Sequence, residues 1–379
     1  MTARRPHALW PEADHDVRAR FEFVGALRGQ LARTLMPGMR SLFERRVAPA
    51  LAAGPMTRRD DFRAIRPLME AQPPYQFWSA LQRRSQELAW EAAIDATEPA
   101  LEHLIDAARG LAARTRGTAG GSLELDPSLP VPRYHTAADI HLQPGGYHTE
   151  FAPGDVAAGA LYDQVLRVYS NGNTGPLNEV FAERLLAFQR EHWPDLQPRR
   201  VLDLGCGIGN STLPWARAFP QARVEGIDVA APQLRYAHAR AESLGVPAHF
   251  SQRNAESTGF PAGSFDLVVS HIMLHETSRS ALPAILRECR RLLAPGGLML
   301  HLEIPRGRDP YEKFIFNWEA WNNNETFAVF LTDLDLAALA VDCGFEASST
   351  RCVEFAVARP PEQRLYSEAA WWKVLGARA

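Results

Sequence analysis

From Val17 onward the apolar residues Val17, Phe21, Val24, Leu27, Leu31 and Leu35 fall three or four positions apart, which places them on one face of a helix. The same spacing returns in Phe62, Ile65 and Leu68, in Trp78, Leu81 and Leu88, and in Leu101, Leu104, Ile105, Ala108 and Leu111. The pattern predicts an α-helical N-terminal domain over residues 1–116. Gly117-Thr-Ala-Gly-Gly-Ser122 has the composition of a flexible linker, and Leu129-Pro-Val-Pro-Arg133 is expected to be extended because a residue before proline is pushed out of helix. Tyr134 to Pro176 is rich in His, Tyr, Gly and Pro and reads as ordered loops, including Asp139-Ile-His-Leu-Gln-Pro-Gly-Gly-Tyr-His148. Residues 117–190 are therefore expected to form a linker and a substrate lid.

After a helix predicted from Leu177 to His192, the periodicity changes. Short apolar runs at Arg200–Leu204, Arg223–Asp228, Ala248–Gln252, Phe265–Ser270 and Gly297–Ile304 read as strands, with helices such as Leu234–Leu244 and Ser280–Leu293 between them. That alternation predicts an α/β unit with a mostly parallel sheet covered on both faces, over residues 191–359. The tail 360–379, with Trp371 and Trp372, is expected to be helical.

Composition narrows the function classes. The chain has 379 residues, 46% apolar and 22% charged, and balances 41 basic against 44 acidic side chains. It carries no broad positive field, so nucleic acid and anionic lipid are not expected partners. No apolar run reaches membrane-spanning length, and the basic N-terminus lacks the apolar stretch of a signal peptide. The four cysteines, Cys206, Cys289, Cys343 and Cys352, are scattered, with no spacing that suggests a metal site, and suit a reducing cytoplasm. Arg28, Arg33, Arg40, Arg45 and Arg46 read as a solvated helix face.

The candidate chemistry begins in Val201-Leu-Asp-Leu-Gly-Cys-Gly-Ile-Gly-Asn210, where an apolar strand runs into three alternating glycines and then a helix. Glycines allow a tight turn and let a ligand approach the backbone. The dinucleotide fingerprint G-x-G-x-x-G fails here, because Gly205 and Gly207 are followed by Asn210 in the third slot. An acid, Asp203, stands just before the turn, where it can receive the ammonium of a cofactor with an amino-acid end. Asp228 ends the second strand 25 positions later, near the spacing of a carboxylate that accepts from two ribose hydroxyls. Asn254-Ala-Glu256, Phe260-Pro-Ala-Gly-Ser-Phe-Asp266 and Arg291-Leu-Leu-Ala-Pro-Gly-Gly297 follow in order.

Over Val201 to Ile304 these five motifs together resemble the class I S-adenosylmethionine-dependent methyltransferases, in particular their type 11 group. The resemblance implies an α/β fold with a seven-stranded, mostly parallel, doubly wound sheet of order 3-2-1-4-5-7-6, to which this chain adds its N-terminal helices. It also implies S-adenosylmethionine as cofactor. Carried over position by position, Asp203, Gly205, Gly207 and Gly209 would cradle the methionine portion and Asp228 the ribose. Ala255 with its neighbours Asn254 and Glu256 would hold the adenine, and Cys206, Val229 and Ser270 complete the expected cofactor contacts. The family usually has Asp where this chain has Asn254, whose side-chain oxygen can still accept a hydrogen bond.

In open α/β sheets the ligand lies beyond the carboxyl ends of the strands. The candidates there are Ser270-His-Ile-Met-Leu-His-Glu-Thr277 and His301-Leu-Glu-Ile-Pro305. His271 is the leading general base for an oxygen acceptor, because it follows strand four and imidazole titrates near neutral pH. It is also readable as a packing residue. His275 and Glu276, one turn on, read more simply as packing or capping, and Glu303 and Tyr169 are the reserve catalytic candidates. The [N/D]-P-P-[Y/F] tetrapeptide that grips amide or base amines is replaced by Ser270-His-Ile-Met273, and no Pro-Cys pair supplies a covalent nucleophile. Tyr311 to Phe327 is rich in aromatics and reads either as a lid or, through Phe314, Trp318 and Trp321, as one apolar helical face.

The expectation is methylation of a small, partly apolar metabolite, with oxygen slightly ahead of sulfur, nitrogen or carbon as acceptor. Two rivals remain: a methyltransferase for protein or RNA docked by the N-terminal helices, and a cofactor-binding regulator without catalysis. An enclosed aromatic cavity favours the first, an open charged groove the second and a blocked pocket the third. The N-terminal helices are also a candidate surface for homo-oligomerisation.

Overall fold

The computed structural model describes all residues except 1–5, 54–60, 116–119, 171, 305–306, 308 and 357–370. Eight strands form one sheet: β1 Ser122–Glu124, β2 Arg200–Leu204, β3 Arg223–Asp228, β4 His249–Gln252, β5 Phe265–His271, β6 Leu293–Glu303, β7 Thr350–Ala356 and β8 Trp371–Arg378. Their order is β1-β4-β3-β2-β5-β6-β8-β7. The pairs from β1 to β6 are parallel, whereas β8 runs antiparallel to both β6 and β7.

The central strands read as unbroken apolar runs because both faces are covered. Leu202, Val268 and Met299 pack under Ile285 and Leu286 of the helix Ala281–Leu292. On the opposite face Val201, Leu267 and Leu300 meet Leu185 of the helix Val180–His192 and Trp215.

The structure corrects four expectations. The expected seven strands are present in the expected order, as β4-β3-β2-β5-β6-β8-β7, but the end of the predicted linker adds an eighth: Ser122–Glu124 pairs with β4 in the register Ser122↔His249; residues 116–119 of that linker lie outside the described residues. Trp371–Arg378 is a strand, not a helix: Val374 and Leu375 are buried on opposite faces between β6 and β7, so no alternation marks them. The remainder of the expected helical tail, 360–370, lies outside the described residues. Within the predicted loops, Ala157–Tyr169 is a helix whose polar Asp163 and Gln164 are buried beside Leu161 and Val165, which hides its amphipathic period. Arg28, finally, is not solvated: it is 3% exposed, donates to Ser85 Oγ and Gln86 Oε1, and lies 4.4 Å over the Tyr169 ring.

The N-terminal helices His15–Gln30, Phe62–Glu70, Pro73–Thr97 and Leu101–Thr115 join the α/β unit along three apolar seams. In the first, Tyr75 and Trp78 bury Phe314 and Trp318 of the helix Pro310–Asn322, with the Trp78 and Trp318 rings 4.2 Å apart. Trp318 Nε1 donates to Ser79 Oγ at 2.7 Å, which satisfies the indole N–H inside the seam. Trp321, third of the spaced aromatics, is 64% exposed instead. In the second seam Trp90 meets Leu142, Leu161 and Val165, and in the third Leu104 and Ile105 meet Ile208 and Tyr236.

Asp163 ties these layers together. It is buried, accepts from Tyr236 Oη at 2.9 Å and Asn178 Nδ2 at 2.7 Å, pairs with His7 Nε2 at 2.9 Å and lies 3.8 Å from the buried Arg240. Burial raises such a carboxyl, but Arg240 and His7 outweigh it and hold Asp163 below its ordinary value. Removing one partner of a buried charge pair typically costs about 3–5 kcal/mol. Asp163→Ala should lose stability of that order in urea unfolding, and a change below 1 kcal/mol would show that the network contributes little.

Candidate active site

Buried β2 ends at Leu204, and the chain turns through Gly205, Gly207 and Gly209 with φ of 64°, 49° and 74°, a region that disfavours every side chain. At Gly205 an added Cβ would also sit 2.4 Å from Met273 Cγ. The turn thus offers bare backbone beside the carboxyl ends of β2 and β5. Asp203 is fully buried behind it; its Oδ2 accepts from Ser211 Oγ at 2.6 Å and Thr212 Oγ1 at 2.7 Å. Its Oδ1 lies 3.5 Å from His271 Nδ1.

At the end of β3, Asp228 accepts one backbone N–H on each oxygen, from Gly207 at 3.0 Å and Ala230 at 2.9 Å. Each oxygen keeps a second lone pair for a ligand hydroxyl. Burial raises the Asp228 carboxyl above its ordinary value, against the opposing pull of His135 and of these two amides. After β4, Asn254 Oδ1 accepts from Glu256 N at 2.9 Å, closing the turn that carries Ala255, and Tyr134 Oη donates to Glu256 Oε1 at 3.0 Å.

A cavity of about 370 Å³ joins these parts, within the roughly 300–1,000 Å³ range of small-molecule sites. Gly205, Cys206, Gly207, Asp228, Val229, Asn254 and Ala255 line one end, and His271, His275 and Tyr169 line the rest with residues the sequence did not single out. Asp203, Gly209, Glu256, Ser270 and Glu303 stand behind the lining rather than in it. Ser270 faces the core, where its hydroxyl contacts His301 Nδ1 at 2.7 Å. Gly209 backs onto Phe250 and Ala237. Glu303 accepts from Leu274 N at 2.7 Å and orients His275 through Nδ1 at 3.0 Å.

Tyr147, Tyr162, Tyr169, Phe316 and Glu319 shape the other end of the cavity. Here His141 lies between two carboxylates, Glu276 at 3.3 Å from Nε2 and Glu325 at 3.2 Å from Nδ1. Burial disfavours a charged imidazole, but Glu325 and Glu276 outweigh it at His141; at His275, Glu303 and Glu325 do the same and push it up to about 9. Glu319, which accepts from Tyr169 Oη at 3.1 Å, is pushed up to about 8 by burial and then by Glu325. The sequence hinted at this end through the His- and Tyr-rich stretch around His141, through Tyr169 and through the aromatic segment Tyr311 to Phe327. Glu276 was noticed but read as packing, and Glu319 and Glu325 carried no signal because their partners are remote in the chain.

The family model described as "Methyltransferase domain" matches residues 201–297. A ubiquinone biosynthesis O-methyltransferase of Ralstonia nicotianae is 30% identical over 191 residues, 49% of this chain and 78% of that protein. A demethylmenaquinone methyltransferase of Thermus thermophilus is 37% identical over 108 residues, 28% of this chain and 48% of that protein. A trans-aconitate 2-methyltransferase of Rhodopseudomonas palustris is 38% identical over 116 residues, 30% of this chain and 41% of that protein. The chain therefore spans less than half the length of the last two relatives. No helix of the described residues is long and apolar enough to cross a membrane.

Beneath the site, burial and the neighbouring His271 drive His301 down to about 3. The unfolded imidazole takes its proton near 6.5, so the folded state is the weaker proton binder between those values. Stability from this group is fully present above about pH 6.5 and falls as the pH drops toward 3, by about 1.4 kcal/mol per unit. His301→Gln, which has no such proton, should lose about 2 kcal/mol less than wild type between pH 6.5 and 5 in denaturant titrations. Equal acid losses in the two proteins would show that His301 does not govern this range.

Proposed function

The chain belongs to the class I S-adenosylmethionine-dependent methyltransferases, and we propose that it methylates an oxygen of a small, partly apolar metabolite. What supports this reading is one cavity that holds both the glycine turn of the cofactor motif and a tyrosine-lined end, one wall of which, the helix Pro310–Asn322, is backed by the N-terminal helices. An aromatic chamber of that size suits a small acceptor better than an open charged groove for a macromolecule. It is also not blocked, which speaks against a regulator without catalysis. The name of one relative points the same way: the protein of Ralstonia nicotianae is an O-methyltransferase of ubiquinone biosynthesis. Four free thiols, Cys206, Cys289, Cys343 and Cys352, suit a reducing cytoplasm.

The residues fit the cofactor. Gly207 leaves open space at the backbone for the methionine portion and Gly205 lines the same cavity, Asp228 offers a lone pair on each oxygen to the ribose hydroxyls, and Ala255 lines the cavity on the side assigned to the adenine. Bound S-adenosylmethionine supplies a methyl group on a sulfonium, which leaves as the neutral thioether. The chain's part is to align the attacking hydroxyl on the line of the breaking bond and to take its proton. His271 is our choice for that proton. Its Nδ1 lies 3.5 Å from the buried Asp203 carboxylate, which would stabilise the imidazolium and leave Nε2 for the acceptor. Wall residues before β2 and after β6 exclude water from the reacting centre.

Two measurements check this reading. Charge-assisted hydrogen bonds are worth about 1.5–3 kcal/mol each, so Asp228→Ala should weaken S-adenosylhomocysteine binding by one to several powers of ten in calorimetry. Unchanged affinity in the folded variant would refute the ribose assignment. His271→Ala should retain cofactor affinity and lose about 10²–10⁴ in single-turnover methyl transfer to an oxygen acceptor. A loss under tenfold would make His271 a packing residue.

A further inference from the structure

The acceptor end of the cavity contains more charge chemistry than a methyl transfer to oxygen requires. His141, His275 and Glu276 each present one donor atom, and these atoms lie within 4.8 Å of one another. Two ligands of a tetrahedral cation bound at about 2.0–2.2 Å lie about 3.4 Å apart, so side-chain movements of about 1 Å close this set on one ion. Glu325 extends it, with carboxylate oxygens 3.2 Å from His141 Nδ1 and 4.0 Å from His275 Nε2.

We propose that His141, His275 and Glu276, with Glu325 beside them, form a binding site for one divalent first-row transition-metal cation at the acceptor end of the cavity. Three observations carry it. First, the ligands are pre-oriented. His275 Nδ1 is held at 3.0 Å by the fully buried Glu303, which turns Nε2 toward Glu325 and the cluster; a carboxylate behind a ligating imidazole fixes its orientation and raises its basicity. Second, the set is rich in carboxylates: no Lys or Arg forms an ion pair with Glu276, Glu303 or Glu325 among the described residues, and their ion-pair partners there are the imidazoles of His141 and His275. A cation between neutral imidazoles would meet that field directly. Third, Tyr147 lines the same space with a buried hydroxyl that has no hydrogen-bond partner among the described residues.

The scaffold holds the ligands in place. His141 and Leu142 have φ of 54° and 62°, and Ile272 and Asn324, beside the other ligand segments, have φ of 58° each. Left-handed backbone at non-glycine residues persists only where the surroundings enforce it. At His141 they do: Trp90 Nε1 donates to its carbonyl at 2.8 Å and Gln86 Nε2 at 3.2 Å, both from the N-terminal helix Pro73–Thr97. The N-terminal helix would thus hold in place a ligand, from the segment before β2, that the α/β unit lacks. Two imidazoles favour Zn²⁺, Fe²⁺, Co²⁺ or Ni²⁺ over Mg²⁺ and Ca²⁺, and three protein ligands leave an open position for a tetrahedral ion. In the reading of oxygen methylation above, an acceptor oxygen would occupy that position; the metal site itself does not depend on that reading.

The test uses the full chain, freed of metal with a chelator and titrated with Zn²⁺ by calorimetry and with Co²⁺ by visible absorption. The expected result is one equivalent bound per chain with a Co²⁺ d–d band, not displaced by Mg²⁺ at the same concentration. His141→Ala and Glu276→Gln should each weaken Zn²⁺ at least tenfold while S-adenosylhomocysteine still binds, which shows that the fold and cofactor site remain. If one variant fails to fold, Glu325→Gln takes its place with the same expectation. Retained S-adenosylhomocysteine binding without stoichiometric Zn²⁺ or Co²⁺ uptake would overturn the metal site and leave the methyltransferase reading intact. Tight uptake unchanged in every variant would overturn it equally, by locating the ion elsewhere.

Discussion

The acceptor side of the cavity depends on the apolar seam in which Trp78 and Trp318 stack. The helix Pro310–Asn322 follows β6 and would otherwise have no partner for Phe314, Ile315 and Trp318. Buried against Tyr75 and Trp78, it holds a fixed rotation, and that rotation turns Phe316 and Glu319 to the cavity. Truncating a buried Trp or Phe to Ala typically costs about 3–5 kcal/mol, a large part of the usual 5–15 kcal/mol stability of a domain. Polar contacts at the rim fix the register: Arg40 donates to Asp309 at 3.0 Å and Arg83 to the Asn322 carbonyl at 2.8 Å, one at each end of the helix.

The two ends of the cavity use charge differently. At the cofactor end the two carboxylates stand singly: both oxygens of Asp228 accept from backbone amides, and Asp203 accepts from two hydroxyls on Oδ2 while its Oδ1 faces His271. At the other end Glu276, Glu303, Glu319 and Glu325 crowd around two imidazoles, and Glu319 is driven up to about 8. An acceptor in this cavity would therefore meet carboxylates held by hydroxyls and backbone amides on one side and carboxylates paired with imidazoles on the other.

Much of the α/β unit was legible in the chain. The observed bounds of β2 and β3 coincide with the expected Arg200–Leu204 and Arg223–Asp228, because each is a short apolar run stopped by Gly205 or ending at Asp228. The glycine turn and Asp228 were legible for the same local reason. What escaped the sequence depends on long-range partners. β8 is apolar on both faces, so it carries no strand period, and the helix Ala157–Tyr169 buries polar groups that only the Asp163 network explains. Arg28 reads as a surface cation until Ser85, Gln86 and the Tyr169 ring enclose it. His141 and Glu276 acquire meaning only when the N-terminal helices bring residue 141 to residue 276.

The position of β8 also bears on how the protein is made. It is later in the chain than β7 yet lies between β7 and β6. While the polypeptide is still emerging, the buried edge of β6, with Leu298, Leu300 and Leu302, has no neighbour until residues 371–378 arrive, and β7 has no sheet to join. An unpaired apolar edge is a template for pairing with other chains. The strand order thus imposes a schedule as well as a shape: the sheet can close around β6 and β7 only after β8 has left the ribosome.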